Sequence, residues 1–353
     1  MAKKNLNQGK RDFPISAFKV KEAKLRNFYK KIFPERSCKL EVLWKWLYRV
    51  KFFNKKNNPI IIVKKNEIVG HMGIIPFWLN LSGKKISACW YADMFVLPKC
   101  RGEGIAKKIT NELMRRTQVG FGFGNEKSMG VFKKFGWEIS NEGFIHHFFL
   151  KPMDHKRFSF VKKNFNLISN LINFIFINLI SINYNFKKNK NKYIKVESLN
   201  KKNINLFLNI KKSKNIINTI IDKKYLYWRF LDSPDLNKYK ILKNNSIAAL
   251  VKERKDKPKT WHLDILLINN LTNSKILIPF LADVILWSKR HNFSYVRVYI
   301  SDKSLSKKIS YNLLSIYRNP RFFFYAKNKK FMNILKNSKY FWNLSDSDWE
   351  IIS

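Results

Sequence analysis

The sequence predicts an α/β (α+β) protein of two tandem domains, each with a mixed, mostly antiparallel sheet flanked by helices. Apolar residues change from helical spacing in residues 13–58 to strand spacing in residues 59–98. Strands and helices then alternate up to residue 150, and a similar order of elements recurs after residue 193. The 353 residues are enough for two domains, and a hydrophobic content of 45% supplies their cores.

The first predicted domain covers residues 13–152 and begins with two helices that are broken near Pro34. Three strands follow, IIIV, IVGHMGIIPFWLNL and KISACWYADMFV, with KKNE and SGKK as turns. The remaining predicted elements are an amphipathic helix over 103–117, a strand over 119–125, a helix over 126–136 and a closing hairpin over 137–150.

Residues 153–192 are predicted to form a linker that is first helical and then rich in Lys and Asn. Its stretch NLISNLINFIFINLISINYNF (166–186) is interrupted by asparagines, which argues against a membrane span. We expect a helix that packs between the domains or lies on a membrane surface. The second predicted domain, 193–353, contains helices over 200–210, 219–234, 274–291 and 303–314, with strands between them and a final strand over 321–327.

The formal charge of +46 comes from 70 basic residues, of which only 14 are Arg. Protein surfaces that contact nucleic-acid bases are rich in Arg, and surfaces that bind the phosphate backbone have clustered basic residues. The lysines of this sequence are instead spread along the chain. The composition therefore predicts a solvated basic surface and no nucleic-acid partner. The charge still favours anionic partners such as CoA phosphates, nucleotide sugars or an acidic membrane face.

The three cysteines form no CxxC pair, and no histidine lies beside them, so neither a disulfide framework nor a zinc site is predicted. The adjacent His146 and His147 would face opposite sides of a strand and could not bind one metal together. The N-terminal segment MAKKNLNQGKRDFP lacks the apolar core of a secretory signal. We expect a cytoplasmic protein without a metal.

The most informative stretch is VLPKCRGEGIAKKI, residues 96–109, where two of only 12 glycines flank one residue between a strand and a helix. The first turn of a helix presents N–H groups that have no partner in the helix, and its dipole favours an anion. Gly102 and Gly104 keep side chains away from that position, and Lys107 and Lys108 add positive charge. The layout predicts a phosphate site.

Two well-known glycine motifs are excluded here, because no GxxxxGK[ST] occurs and Lys107 stands where GxGxxG needs its third glycine. The stretch RGEGIA instead resembles the Q/R-x-x-G-x-G/A signature of the GNAT superfamily of N-acetyltransferases. The preceding MFVLP and the later GFGNEKSMGVFKKFGWE resemble two further landmarks of that family. This resemblance covers residues 55–150 well and residues 13–54 loosely. The rest of the chain is similar mainly to two-domain acyltransferases of polysaccharide and cell-surface sugar synthesis, and its tail YFWNLSDSDWEII resembles the aromatic and acidic C-terminal motif of those proteins.

The resemblance implies that backbone amides of residues 101–107 bind the diphosphate of acetyl-CoA or another acyl-CoA. It also implies that the pantetheine arm pairs with a strand edge where the fourth and fifth strands splay apart. The implied cofactor-binding residues are Phe95, Val96, Leu97, Arg101, Gly102, Glu103, Gly104, Ile105, Ala106, Lys107, Asn125 and Phe132. Glu103 departs from the usual polar or basic residue. The second domain lacks glycine at the matching place, LLINNLTNSKILIP, and is predicted to bind no CoA.

Acyl transfer to an amine requires an acceptor for the amine proton and a donor for the leaving thiolate. Asp93 in WYADMF is the first candidate for the base, with pairing to a loop amide or to Arg101 as the alternative. Strand alternation predicts that Tyr91, Asp93 and Phe95 share one face, and Tyr91 would either donate a proton or pack. Glu126 is a second candidate base, or it only favours the helix dipole.

These observations predict an acyltransferase that moves groups other than aminoacyl groups from acyl-CoA to an amine. The resemblance implies an amino sugar of a surface polysaccharide as the acceptor, and the charge allows peripheral association with an acidic membrane. Two alternatives stay open. One is an aminoacyl-tRNA-dependent transferase similar to tandem enzymes of peptidoglycan synthesis, and the other is a non-enzymatic basic protein that binds nucleic acid or a membrane surface.

Overall fold

The computed structural model describes residues 14–16, 20–34, 37–48, 59–124, 126–155, 158–187, 193–208, 216–256, 260–271 and 273–346. The chain divides into two units. The first unit contains Met1–Pro76, Ser87–Ile139 and Phe323–Met332, and the second contains Phe77–Ile86, Ser140–Phe322 and Asn333–Ser353.

Through residue 140 the helices and strands are β1 (Pro14–Ser16), α1 (Glu22–Ile32), α2 (Ser37–Leu47), β2 (Ile60–Lys64), β3 (Glu67–Leu81), β4 (Lys84–Val96), α3 (Ile105–Arg116), β5 (Val119–Phe123), α4 (Glu126–Lys134) and β6 (Glu138–Ser140). The later ones are β7 (Phe144–Phe149), α5 (Ser159–Asn164), α6 (Asn166–Lys187), β8 (Lys195–Ser198), β9 (Ile216–Thr219), α7 (Lys223–Leu226), β10 (Tyr239–Lys243), β11 (Ala248–Asp256), β12 (Thr260–Ile268), α8 (Ser274–Arg290), β13 (Tyr295–Ile300), α9 (Lys303–Leu313), β14 (Ile316–Arg318), β15 (Phe322–Ala326), α10 (Lys329–Asn337) and β16 (Lys339–Phe341).

Two tight turns connect β2, β3 and β4, at the places where the sequence predicts turns. Lys65 and Asn66 have φ values of 46° and 65°, and Ser82 and Gly83 have φ values of 50° and 83°. Two-residue loops with positive φ match the right-handed twist of the strands that they join. The three long strands therefore form a continuous antiparallel meander.

The sheet of the first unit has the order β1-β2-β3-β4-β5-β15-β6. β4 and β5 are parallel, and α3 connects them. Ile105, Ile109 and Leu113 form the buried face of α3. A Cβ on Gly70 of β3 would lie 2.9 Å from side-chain atoms of Ile105 and Ile109, so the glycine lets α3 pack closely on the sheet.

The second unit repeats this succession. Its sheet has the order β14-β7-β13-β12-β11-β10-β8, and α8 connects the parallel strands β12 and β13. Most of α8 is buried, from Leu277 to Ser288. Within the same unit, β9 pairs with Leu79 and Asn80 of β3 and with β16. Two mixed sheets flanked by helices confirm the predicted fold class.

The predicted closing hairpin over 137–150 is wrong. β6 lies beside β15 in the sheet of the first unit, whereas β7 pairs with β13 and β14 in the second unit. Alternation of apolar residues specifies that a segment is a strand, but it does not specify the partner of that strand. Two elements belong to other units than the predicted domains suggest. α6 lies in the predicted linker but belongs to the second unit, and β15 lies in the predicted second domain but belongs mostly to the first unit.

Two helices predicted near the start of the second half are also different in the structure. Residues Asn203–Phe207 form a 3-10 turn, and the segment predicted as a helix over 219–234 begins with the end of β9. α7 then continues into a π-helical turn over Tyr227–Leu231. β-branched residues at the start of this segment favour a strand over a helix.

Candidate active site

The glycine loop between β4 and α3 has an unusual backbone conformation. Gly102 has a φ of 87° and Gly104 a φ of 76°, and L side chains are disfavoured in this region. A Cβ at either position would meet no atom within 4 Å. The two glycines are therefore required by the backbone conformation and not by close packing, and open space lies beside the loop.

The backbone amides of this loop are available to a ligand. Gly104 is the N-cap of α3 and provides no side-chain cap, and the first helical bond runs from Lys108 N to Gly104 O at 3.0 Å. Within the described part of the chain, none of the amides from Gly102 to Lys107 donates a hydrogen bond. Orphan donors at the positive end of a helix dipole are suited to bind an anion.

The corresponding helix of the second unit begins differently. Asn273 caps α8, and its side-chain oxygen accepts a hydrogen bond from Lys275 N at 3.1 Å. A side chain of the chain itself therefore satisfies a donor that is open at the start of α3. This contrast supports the expectation that the second half lacks a CoA loop.

The glycine loop carries one carboxylate, Glu103, at a position where the family pattern usually has a polar or basic residue. Its side chain forms an ion pair with Lys64 at the end of β2. Arg101 lies with its guanidinium carbon 5.9 Å from the centroid of the Phe95 ring. Since Lys64 compensates the charge of Glu103, the lysines at 107 and 108 keep the loop attractive to an anion.

β4 and β5 separate next to the glycine loop. Their described pairing runs from Ala88–Val119 to Trp90–Phe121, with Cys89 opposite Gly120 between them. β4 continues to Val96 and β5 to Phe123, so both strands extend past the last pair. The described pairs of β4 and β5 thus end before either strand does, and the edge of β4 beyond Trp90 is where an extended ligand could add like a strand.

Leu97 does not belong to that edge, contrary to the sequence-based expectation. Its N–H donates to Val69 O at 2.9 Å, its carbonyl accepts from Cys100 N at 2.9 Å, and its side chain is buried. Both backbone groups are thus used inside the protein. Phe95 and Val96 are half-buried and remain candidates for contact with a pantetheine arm.

Asp93 lies on β4 with a φ of 50°, which is rare for a residue other than glycine. The hydroxyl of Tyr48 donates to Asp93 Oδ2 at 2.9 Å, and His71 Nδ1 lies 3.0 Å from the Asp93 carbonyl oxygen. Because a carbonyl only accepts, Nδ1 carries the proton, and Nε2 accepts from the Tyr29 hydroxyl at 3.1 Å. Burial and the charge of Asp93 raise the pKa of Tyr29, which keeps this hydroxyl a donor.

This arrangement fixes Asp93 through both its carboxylate and its backbone. His71 has no exposed surface, and both of its ring nitrogens bond inside the protein, so it positions the Asp93 backbone and does not act as a base. The left-handed residue also interrupts the extended strand, so the predicted alternation of Tyr91, Asp93 and Phe95 on one face does not apply across it. Asp93 is half-exposed at this point, as a proton acceptor must be.

Tyr91 and Phe132 lie in an aromatic stack. The two rings stack with centroids 4.6 Å apart, and the Tyr91 ring also contacts Trp137 edge-on at 5.3 Å. A Cβ on Gly122 would lie 1.9 Å from the Tyr91 ring, so the glycine makes room for it. Phe132 has no exposed surface, and the expectation that it flanks the cofactor is therefore not met.

The other two candidates cannot be placed in the same way. Asn125 lies outside the described residues. Glu126 begins α4, but its side chain also lies outside them. Among the described residues, no group of three or more His, Cys, Asp or Glu side chains is arranged to hold a metal ion.

Sequence reasoning missed the roles of Tyr29 and Tyr48, which lie within or next to the two helices that it predicted before residue 58. The periodicity predicts that a tyrosine at such a position packs in the core, but it does not predict the hydrogen bonds of the hydroxyl. A hint was available in Gly73 of β3, where a Cβ would lie 2.4 Å from the Tyr48 ring. A glycine inside a strand often marks the close approach of another group.

The geometry described above can be compared with known proteins. Residues 29–140 match the family model of the acetyltransferase (GNAT) domain. The match begins at Tyr29 and includes His71, Asp93 and the glycine loop, so it contains the whole candidate site. The GNAT match supports acyl transfer in general. No curated protein matches the sequence.

Solved structures share the fold at low identity. A conserved protein of unknown function from Enterococcus faecalis V583, described as a probable N-acyltransferase, is 12% identical with a TM-score of 0.54, over 90% of this chain and 72% of that one. A GCN5-related N-acetyltransferase from Kribbella flavida is 11% identical with a TM-score of 0.53, over 87% and 70%. The N-myristoyltransferase of Saccharomyces cerevisiae with bound myristoyl-CoA is 11% identical with a TM-score of 0.50, over 81% and 69%.

Proposed function

We propose that this protein is an N-acyltransferase that moves an acetyl or other acyl group from acyl-CoA to an amine. The observation that carries the proposal is the row of open amides from Gly102 to Lys107 at the uncapped start of α3. A diphosphate offers several anionic oxygens, which suit such a row better than a single carboxylate does. The open space beside both glycines fits a phosphate group.

The donor would extend from this loop along β4. The open amides of residues 102–107 would hold the diphosphate, whereas the Arg101 amide already donates to Pro98 O at 3.2 Å. The backbone of Phe95 and Val96 would pair with the pantetheine arm along β4 beyond its last described pair with β5. The thioester would then lie close to the part of β4 that carries Asp93. The acyl donor supplies the reactive carbonyl, and the protein supplies position and a proton acceptor.

In this proposal Asp93 accepts the proton that the amine loses when its nitrogen bonds to the acyl carbon. The hydrogen bond from Tyr48 and the bond from His71 to the Asp93 carbonyl hold the carboxylate in one orientation. The leaving thiolate must also receive a proton. Tyr91 and Glu126 remain the candidates for that step, and only 6% of the surface of Tyr91 is exposed.

We also propose the chemical class of the acceptor and the cellular location. An amino sugar of a surface polysaccharide is the acceptor that the sequence resemblance implies, and other amines, including peptides, are the alternatives to compare with it. A cytoplasmic location agrees with the free thiols of Cys89 and Cys100. Burial raises the pKa of Cys89 to about 12, so its thiol does not act as a nucleophile.

Product analysis tests the proposal. The protein is incubated with acetyl-CoA and longer acyl-CoA thioesters and with a panel of amino sugars and peptides, and the products are identified by mass spectrometry. We expect one acceptor class to gain an acyl group while free CoA is released in equal amount. Thermal shift with CoA and with tRNA runs in parallel, and stabilisation by tRNA alone would favour an aminoacyl-tRNA-dependent transferase or a nucleic-acid-binding protein instead.

A further inference from the structure

The helical segment formed by α5 and α6 exposes an apolar surface. α6 is long and apolar enough to cross a membrane, yet only 28% of its most apolar window is buried. Monomeric soluble proteins rarely expose large contiguous apolar patches, and such patches mark interaction sites. The exposed apolar side chains on the two helices are Phe160, Phe165, Leu167, Ile168, Leu171, Ile172, Phe174, Ile175, Leu179, Ile182 and Phe186.

The buried face of α6 is, by contrast, partly polar and well bonded. Asn173 accepts a hydrogen bond from Met153 N at 2.9 Å, and Lys289 donates to Ser181 Oγ at 2.8 Å. Tyr184 donates to the carbonyl oxygen of Leu313 at 2.9 Å. The helix thus anchors Asn173, Ser181 and Tyr184 inside the second unit and turns much of its apolar surface outward, unlike an ordinary amphipathic surface helix.

The outward residues form a regular stripe. Ile168, Leu171, Ile175, Leu179 and Ile182 follow one another at intervals of three or four residues, which places them on one side of the helix. At a rise of about 1.5 Å per residue, the stripe from Ile168 to Ile182 is about 21 Å long on the 22-residue helix. A long, straight apolar strip of this kind fits a flat partner.

The charge of the region defines the chemistry of that partner. Between Asp154 and Glu197 the sequence has no acidic residue. The basic residues in this interval are Lys156, Arg157, Lys162, Lys163, Lys187, Lys188, Lys190, Lys192 and Lys195. They bracket both ends of α6, while no basic residue interrupts the apolar stripe. Apolar residues between clusters of lysines are typical of helices that lie on anionic bilayers.

We propose that α5 and α6 bind the surface of a bilayer that contains anionic lipid, with α6 parallel to the membrane plane. The apolar stripe enters the boundary between headgroups and acyl chains, and the flanking lysines contact lipid phosphates. A spanning orientation would break the bonds of Asn173, Ser181 and Tyr184 to the second unit. A second copy of the chain is a less suitable partner, because two chains of charge +46 repel each other.

Vesicle flotation with the full chain tests this inference. The vesicles consist of phosphatidylcholine alone or of phosphatidylcholine with phosphatidylglycerol. We expect the protein to float with the anionic vesicles, more weakly at high salt, and to be released by an alkaline carbonate wash. For the double variant Leu171→Asp, Ile175→Asp, the partition coefficient into anionic vesicles should fall at least roughly tenfold, because two apolar side chains no longer enter the boundary between headgroups and acyl chains.

The matched control is Tyr311→Asp on α9, whose side chain is 83% exposed in the same unit, and it should float like the wild type. CoA binding should be equal in all three proteins, so this test is independent of the proposed activity. No binding of the wild type to anionic vesicles, or equal flotation of the double variant, would overturn the inference. Resistance of the bound protein to the carbonate wash would also overturn it. The same holds if the wild type is a dimer that binds no vesicles and the double variant is a monomer.

Discussion

The hydroxyl of Tyr48 donates a 2.9 Å hydrogen bond to Oδ2 of Asp93, and this contact orients the carboxylate of the candidate base. Asp93 occupies a left-handed backbone conformation, which costs about 1–2 kcal/mol for most residues other than glycine. The bond from His71 Nδ1 to its carbonyl oxygen helps to hold that conformation. Strained residues that neighbours hold in place on both sides are often part of active sites.

Replacing Tyr48 with Phe removes the donor and keeps the ring. We expect kcat to fall roughly tenfold, because a hydrogen bond to a charged group contributes about 1.5–3 kcal/mol. The affinity for CoA should not change, since the hydroxyl that is removed bonds to Asp93 and not to the amides of the glycine loop. Tyr193→Phe, at a position that is 94% exposed, is the control in the same steady-state assay. An unchanged kcat in the Tyr48 variant would show that Asp93 needs no such support.

Asp93→Asn tests the base itself. Asn tolerates the left-handed region and can still accept the hydrogen bond from Tyr48, so the backbone should be preserved. We expect kcat to fall by about 100-fold or more, the usual contribution of general base catalysis, with unchanged CoA affinity by calorimetry. If kcat is retained and Glu126→Gln loses it instead, Glu126 is the base and the role given to Asp93 is wrong.

Gly73→Ala tests the support from the other side. Its Cβ would lie 2.4 Å from the Tyr48 ring, so the ring must move and its bond to Asp93 must lengthen. We expect a loss of about 1–3 kcal/mol in the free energy of unfolding, measured with urea, together with reduced kcat. Gly130→Ala on α4 is the control, because nothing lies within 4 Å of its Cβ, and alanine favours a helix. Equal stability of both variants would contradict this packing argument.

Much of the first unit followed from the sequence. The helical spacing around Pro34, the turns at residues 65–66 and 82–83, and the strand-loop-helix order at the glycine loop all appear in the structure. These features depend on local chemistry, namely positive φ, proline and periodicity. The partners of β7 and β15 could not be predicted, because strand pairing between distant segments depends on tertiary packing.

The residues of the candidate site also fall into those that the sequence predicted and those that it did not. Gly102 and Gly104 were predictable because glycine reports directly on backbone conformation. The contact between Tyr48 and Asp93 joins residues 45 positions apart, and no periodicity encodes it. The family resemblance assigned Leu97 to the strand edge, whereas its N–H bonds to Val69 O. Hydrogen bonds of single backbone groups depend on register and are not visible in residue types.

The pH dependence of stability should reveal two histidines of β7, of which His146 is buried and His147 is half-buried. Burial lowers the pKa of His146 to about 4 and that of His147 to about 3, whereas an unfolded imidazole titrates near 6.5. The unfolded state therefore binds more protons below pH 6.5, and the free energy of unfolding should decrease as pH falls from about 6.5 to about 4. Each histidine contributes a slope of up to about 1.4 kcal/mol per pH unit in that window.

Urea unfolding at several pH values measures this slope. His146→Asn should flatten it, although the variant also loses the contacts of His146 to Ser306 and Ser315 at 2.7 and 2.6 Å. His291→Asn replaces an exposed histidine of the same unit and should keep the slope of the wild type. Parallel curves for all three proteins would mean that His146 binds protons equally well in the folded and the unfolded state, which would contradict the lowered pKa.

The central claim is that open amides at the start of α3 bind the diphosphate of CoA, and calorimetric titration with CoA tests it most directly. Gly104→Val and Gly83→Val both place a branched side chain at positive φ with nothing within 4 Å, so their backbone costs are matched. Only Gly104 lies in the loop. We predict that Gly83→Val binds CoA like the wild type and that Gly104→Val loses at least about tenfold in affinity, which corresponds to 1.4 kcal/mol. Equal affinity of the wild type and Gly104→Val would contradict the account.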